Sequence, residues 1–288
     1  MSIRVENLCH TYSQGTPFER TALEDVTLEI DDGESVAIIG ETGSGKSTLI
    51  QHFNGLLKPT RGRVLVDGVD IWQKDVSLKD IRQKVGLVFQ YPEHQLFEET
   101  VFDDVAFGPR NLRLDESEVR ERVKRSLEMV RLDFEALCDR SPFEISGGEM
   151  RRVAMAGVLA MEPSVLVLDE PASGLDPRGR DEVLDEIGAL HRKFGYTIVL
   201  VSHSMEDVAR LAKRLIVLHR GKVLADGPAR EVFGMADLLK SVGLGVPQVT
   251  ELMHELARRK KQVRTDVLTV EEAELELLRL LRSEGRVP

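Results

Sequence analysis

Apolar residues recur along the chain with two periods, and the switches between them outline its elements. Ile3 to Glu6 reads as a short β segment, and Leu23 to Ile30 alternates apolar and polar (Val26, Leu28, Ile30), the pattern of a half-exposed antiparallel strand. Val36 to Ile39 is continuously apolar, as a buried parallel strand is. The runs Val85 to Phe89, Val165 to Leu168 and Thr197 to Val201 are each followed by a loop and then by helical spacing, an α/β pattern that places ligands at the C-terminal strand ends. Residues 115–131 carry Val119, Val123, Leu127 and Val130 on one helical face and predict an inserted helical subdomain. Leu215 to Leu218 and Lys222 to Ala225 flank Arg220-Gly221 and predict a β-hairpin. After Phe233 the strand signal stops. Residues 236–288 predict two amphipathic helices, one with Val249, Leu252, Met253 and Leu256 on a face, the other with Ala273, Leu277, Leu280 and Leu281 behind a capping box from Thr269 to Glu272. The basic run Arg258 to Lys261 between them reads as a solvated helix end rather than a lipid contact.

Composition narrows the class. Over 288 residues, 39 Lys and Arg against 49 Asp and Glu give a net charge of −10, contrary to the basic face that a nucleic-acid binder needs. With 42% hydrophobic residues the chain can bury a core, and its length allows two domains at about 150 residues each. The longest uncharged run, Phe194 to Met205, contains Gly, Thr, Ser and His and falls short of the roughly 18 apolar residues of a membrane span. Arg4 and Glu6 stand where a signal peptide needs an apolar run, so no export is expected. Cys9 and Cys138 form no CxxC pair; neither a disulfide nor a zinc site is expected, and the compartment should be reducing. Charge is also uneven. Val85 to Pro109 holds Glu93, Glu98, Glu99, Asp103 and Asp104 without Lys or Arg, interleaved with Phe89, Tyr91, Phe97, Phe102 and Phe107.

Two motifs carry chemistry. GETGSGKS, Gly40 to Ser47, fits GxxxxGK[ST] between an apolar strand and a helical run, the context of a phosphate-binding loop. Gly40, Gly43 and Gly45 let the backbone wrap a triphosphate, and Glu41, Thr42 and Ser44 complete the turn. Its amides and the following helix N-terminus, with Thr48, form a concave positive site. Lys46 reaches the β- and γ-phosphates, and the Ser47 hydroxyl ligates Mg2+. VLVLDE, Val165 to Glu170, ends a buried strand with two carboxylates: Asp169 to hold the metal, Glu170 to polarise the attacking water.

Around these lie the marks of a family. SGGE, Ser146 to Glu149, resembles the LSGGQ signature of ATP-binding cassette (ABC) ATPases. Gln90 resembles their Q-loop, Ser173 to Asp176 (SGLD) their D-loop, His203 their switch histidine, and Tyr12 the aromatic that stacks on adenine. The elements stand in the family's order over about residues 1–232. The resemblance implies an α/β P-loop NTPase of the ABC ATPase type, with a mixed sheet core and an antiparallel β subdomain. A helical signature subdomain is implied over about residues 92–162, and a helical dimer-contact extension over 233–288. It implies ATP and Mg2+ as ligands, with Ser47, Gln90 and Asp169 on the metal and Glu170, His203 and Gln90 at the chemistry. Ser146, Gly147 and Gly148 open a helix and so form a second anion site, implied to lie far from its own P-loop. Two chains facing head to tail would sandwich each ATP.

Phe89 to Asn111 and Met150 to Pro163 resemble the ATPases of energy-coupling factor (ECF) transporters, and PEHQLFEETV is more similar to the second of their paired ATPases. That resemblance implies an ATP-hydrolysing subunit on the cytoplasmic face of the cell membrane. Its implied partners are a second ATPase (heterodimer, with a homodimer open), a transmembrane coupling subunit docking near Phe89–Pro109, and a capture protein for a vitamin or metal ion. The signature departs from the family at Ile145, nearly volume-conserving, and at Glu149, which sets a possible anion near a triphosphate and is expected to weaken that composite site. Alternatives are the ATPase of another ABC transporter or a non-transport ABC ATPase acting on nucleic acid. The missing coiled-coil insertion and the acidic charge speak against the second.

Overall fold

The alternating N-terminal segments pair as one antiparallel sheet, in a computed structural model that describes residues 2–283. Its strands β1 (Ile3–Tyr12), β2 (Arg20–Ile30), β4 (Arg61–Val66) and β5 (Val69–Asp70) lie in the order β2-β1-β4-β5. β1 runs well past Glu6. Asn7 and Asp25 take left-handed φ values of 47° and 55°, and extra residues at register shifts break the alternation without ending the ladder. That hid the strand's second half, which ends on Tyr12.

The continuous apolar runs form the second sheet. β3 (Ser35–Ile39), β6 (Val85–Val88), β7 (Val165–Asp169), β8 (Thr197–Val201) and β9 (Arg214–His219) run parallel, with β10 (Lys222–Pro228) antiparallel at one edge, in the order β10-β9-β3-β8-β7-β6. The β9–β10 hairpin turns at Arg220 and Gly221, both at positive φ, as a two-residue primed turn requires. Residues of β3, β7 and β8 alternate between two cores. Ala37, Ile39, Leu166, Leu168, Ile198 and Leu200 face the helical side, and Val36, Ile38, Val165, Val167, Val199 and Val201 face the antiparallel sheet. Each of the Val, Leu and Ile side chains contributes roughly 1.5–3 kcal/mol on burial.

The inserted helix, Glu116–Met129, buries Val119, Val123 and Leu127 against the signature-bearing helix Gly147–Leu159. At the C-terminal end, residue 232 lies inside the helix Ala229–Gly234, and Phe233, Ala236, Leu239, Leu244 and Val246 all belong to the main core. Main-core packing therefore continues past residue 232 through Val246, and Leu268 joins it from further along the chain. Beyond Val246, Gln248–Arg258 and Val270–Ser283 share a small cluster around Met253, Val267 and Ala273, with Leu252 left 45% exposed. The expected capping box forms in half. Thr269 accepts from the Glu272 amide, but the Glu272 carboxylate accepts from the Leu268 amide and pairs with Arg230.

Candidate functional site

The parallel strands deliver their C-terminal ends to one edge of the molecule. β3 opens into the loop Gly40–Gly45, which turns into the helix Lys46–Phe53. Glycine is required twice: a Cβ at Gly40 would stand 2.4 Å from the Leu218 carbonyl oxygen, and Gly45 holds φ 107° with its Cβ position 2.6 Å from the Ala22 carbonyl oxygen. Lys46 is buried and its Nζ donates to the carbonyls of Gly40 (2.8 Å) and Glu41 (3.0 Å). Burial lowers its pKa, opposed by Glu170, Asp169 and Glu41. Ser44 is buried with its Oγ lacking a hydrogen-bond partner, while Thr42 stays exposed. Tyr12, Arg20, Gly43, Gly45, Lys46, Ser47 and Thr48 line a cleft of about 200 Å³.

Neighbouring strands supply the carboxylates. Asp169 is 7% exposed; burial raises its pKa, opposed by a hydrogen bond from Ser47 and by the charge of Lys46. Glu170 follows β7 at φ 52°, and burial pushes its carboxyl up to about 7, with the His203 backbone amide pulling down and the Asp169 charge adding to the rise. His203, after β8, places Nε2 3.3 Å from Glu170 Oε1, a buried oxygen with no completed hydrogen bond. Ser47 and Asp169 form a hard oxygen donor pair that fits Mg2+, which takes one or two carboxylates plus phosphate oxygens rather than a full protein cage. Gln90 stays exposed just past β6.

No signature residue lines this cleft. Ser146 caps the helix Gly147–Leu159, and a Cβ at Gly147 or Gly148 would meet nothing within 4 Å, so the backbone there is open to a large ligand. Glu149 closes a full capping box: its carboxylate accepts from the Ser146 amide (2.8 Å) and hydroxyl (2.7 Å). Those bonds hold its pKa below the ordinary value. The charge is thus spent partly on its own serine.

Sequence reasoning missed two groups. Arg20 lies over the phosphate loop, its guanidinium 3.1 Å from the Cβ position of Gly43. Arg151, 2% exposed, makes a bidentate pair with Glu93 (2.9 and 3.1 Å) and donates to the carbonyls of Pro171 (3.0 Å) and Ser173 (2.8 Å). It ties the segment after Gln90, the signature helix and the SGLD loop together. The basic residue in MRR was visible, but no period marks a contact across 58 residues.

The segment Val85 to Pro109 bounds a mostly apolar groove of about 410 Å³ lined by Phe89, Leu96, Phe97, Phe107, Val153 and Met161, among others. Its acidity is smaller than the sequence suggests. Glu93 is paired with Arg151, Asp103 with Arg110 (2.8 Å), and Asp104 is half-buried, accepting from the Phe97 and Glu98 amides. Glu98 and Glu99 carry the free charge.

A family model described as ABC transporter matches residues 23–173. The energy-coupling factor transporter ATP-binding protein EcfA2 of Clostridium tetani is 57% identical over 285 residues, 99% of each chain. That of Clostridium perfringens is 56% identical over 283 residues, 98% of this chain and 99% of the relative. Among solved structures, cbiO1 from Clostridium perfringens, part of the ABC transporter complex cbiONQ, aligns with a TM-score of 0.73 at 39% identity, covering 88% of this chain and 98% of that one. A dimeric ATP-binding cassette in a post-hydrolysis state with ADP and Pi aligns with a TM-score of 0.70 at 31% identity, covering 79% and 98%.

Proposed function

The chain belongs to the ABC transporter family and, within it, to the energy-coupling factor ATP-binding proteins, and from that premise we propose that it hydrolyses ATP to drive import through separate membrane subunits. One observation supports the mechanism: the buried Lys46 ammonium after β3, the Asp169 and Glu170 carboxylates at the end of β7, the latter pushed up to about 7, and His203 after β8 stand together. Among the described residues no helix is long and apolar enough to cross a membrane, in keeping with membrane subunits on other chains.

Tyr12 stacks on adenine, and the loop Gly40–Gly45 with Thr48 wraps the phosphates. Lys46 exchanges the Gly40 and Glu41 carbonyls for phosphate oxygens. Ser47, Asp169 and Gln90 would hold Mg2+, which would supply positive charge to offset that of the phosphates. Glu170 takes the proton of the attacking water, and His203 bonds the γ-phosphate while orienting Glu170. The Ser146–Gly148 amides of one chain face the P-loop of a second ATPase, either a homologue or another copy, and the helices beyond Val246 add to that contact. A transmembrane coupling subunit seats a helix in the groove of Phe89–Pro109, on the cytoplasmic face, and a separate capture protein sets the cargo, a vitamin or metal ion.

Glu170→Gln tests the base. Turnover is expected to fall by about 10²–10⁴ while ATP stays bound in a closed dimer, seen as an ATP-dependent shift on a sizing column. Rapid steady turnover by this variant would remove Glu170 from the role.

A further inference from the structure

Behind Tyr12 lies a pair of histidines that the mechanism above does not use. His52 is wholly buried on the helix Lys46–Phe53, and His10, on β1, is 8% exposed. His52 Nδ1 stands 2.7 Å from the Thr48 carbonyl oxygen, and its Nε2 stands 3.2 Å from His10 Nδ1. His10 Nδ1 is also 3.2 Å from the Lys58 carbonyl oxygen. The His10 ring packs edge-on against Tyr12 at 4.5 Å and against His52 at 4.8 Å. Tyr12 closes the circuit, its hydroxyl 3.1 Å from Thr48 Oγ1.

Carbonyl oxygens only accept, so the two contacts to Thr48 and Lys58 assign the protons. His52 carries its proton on Nδ1, leaving Nε2 as a lone pair, and His10 carries one on Nδ1, shared between Lys58 and His52. His52 is therefore neutral. Burial, which lowers the proton affinity of both rings, agrees with this assignment. The strand bearing Tyr12 is thus bonded at two points to the helix that begins with Lys46, Ser47 and Thr48.

We propose that His10 and His52 are positioning residues for nucleotide, fixing the Tyr12 ring relative to the phosphate loop so that base and triphosphate meet one preorganised site. This rests on the reading of Tyr12 as the adenine-stacking residue. Immobilising a ring before binding spares the complex that ordering cost, an advantage of about three- to tenfold in affinity.

His52→Leu removes the bridge without orphaning a buried group, because the His10 proton keeps Lys58 and the Thr48 carbonyl keeps its helical bond. His52→Gln restores an acceptor toward His10. Calorimetry on the full chain with Mg2+ compares ATP with tripolyphosphate, which has no base, in both variants, in Tyr12→Ala and in His52→Leu/Tyr12→Ala. The expected result is that His52→Leu weakens ATP about three- to tenfold and tripolyphosphate less than about twofold. The ATP loss should vanish in the Tyr12→Ala background and be largely recovered in His52→Gln. Equal losses for both ligands, or an undiminished loss without Tyr12, would mean that His52 merely supports the helix and would overturn the inference. If Tyr12→Ala weakens ATP while His52→Leu does not, the inference fails alone. If Tyr12→Ala binds ATP as tightly as the parent, the stacking reading falls and takes the inference with it.

Discussion

Glu170, the proposed base, holds a left-handed φ of 52°, a conformation costing a non-glycine residue about 1–3 kcal/mol. Its carboxyl titrates at about 7, and burial, then the charge of Lys46, holds His203 below its ordinary value. As pH rises through 7, Glu170 loses its proton with His203 already neutral. The acid limb of kcat/KM for ATP should therefore fall near pH 7, and a limb at the ordinary carboxylate pH would contradict the base assignment. The same shift has a stability sign. Between 4.5 and about 7 the folded carboxyl keeps a proton that the unfolded one releases, so this group's contribution to stability falls as pH rises across that window. Glu149 shows the opposite displacement, kept ionised by the Ser146 hydroxyl and amide. Glutamine can close the same capping box, so Glu149→Gln should leave the unfolding free energy from urea titration within about 0.5 kcal/mol of the parent. It frees the Ser146 hydroxyl from a charged acceptor. Turnover by the assembled ATPase pair is expected to rise about two- to tenfold, on the order of one charge screened by water, and unchanged turnover would show that the anion is harmless there.

The elements were legible wherever burial imposed a period. β3, β7 and β8, the hairpin and the helix Glu116–Met129 all follow from runs or faces of apolar residues, and the phosphate loop follows from glycine spacing with a strand before it and a helix after it. What stayed hidden was set by single long-range contacts. Bulges concealed half of β1, and with it the partners of Tyr12; Arg151 was one cation among several until folding placed it between Glu93 and the Pro171 and Ser173 carbonyls. Burial pulls the Glu93 carboxyl upward, and the hydrogen bonds from Arg151 and from its own backbone amide, with the charges of Arg151 and His94, together more than reverse that. Arg151→Met strands this carboxylate, and a loss of about 3–5 kcal/mol is expected from urea midpoints at unchanged slope. Arg151→Met/Glu93→Leu should recover much of it. A single variant costing no more than an exposed substitution would show that the three segments hold together without this hub.

At the scale of the whole molecule, the net charge of −10 first served to set nucleic acid aside, and the paired carboxylates of Val85 to Pro109 now redistribute it. Asp103 holds the start of the helix Val101–Asn111 through Thr100 and Arg110, and Asp104 supports the turn before it, so reversing either would disturb the fold rather than probe docking. The groove beside them is chiefly apolar, with Phe97 (60% exposed) and Phe107 (47%) meeting edge to face at 5.1 Å. If the proposed coupling helix docks here, these features divide the labour of assembly. Exposed charge steers an approaching basic segment and is screened by salt, whereas desolvated aromatics govern how long it stays. Glu98→Lys/Glu99→Lys should therefore slow association with the membrane subunits about tenfold at low salt, with the deficit shrinking toward 0.5 M salt, about twice the screening of 0.15 M. Phe97→Ala should instead speed dissociation, with little dependence on salt. Surface-plasmon measurements on reconstituted membrane subunits separate the two rates, and ATP binding by the free chain provides the control. If the double reversal changes neither rate, Glu98 and Glu99 are solvated surface and the aromatics carry docking alone.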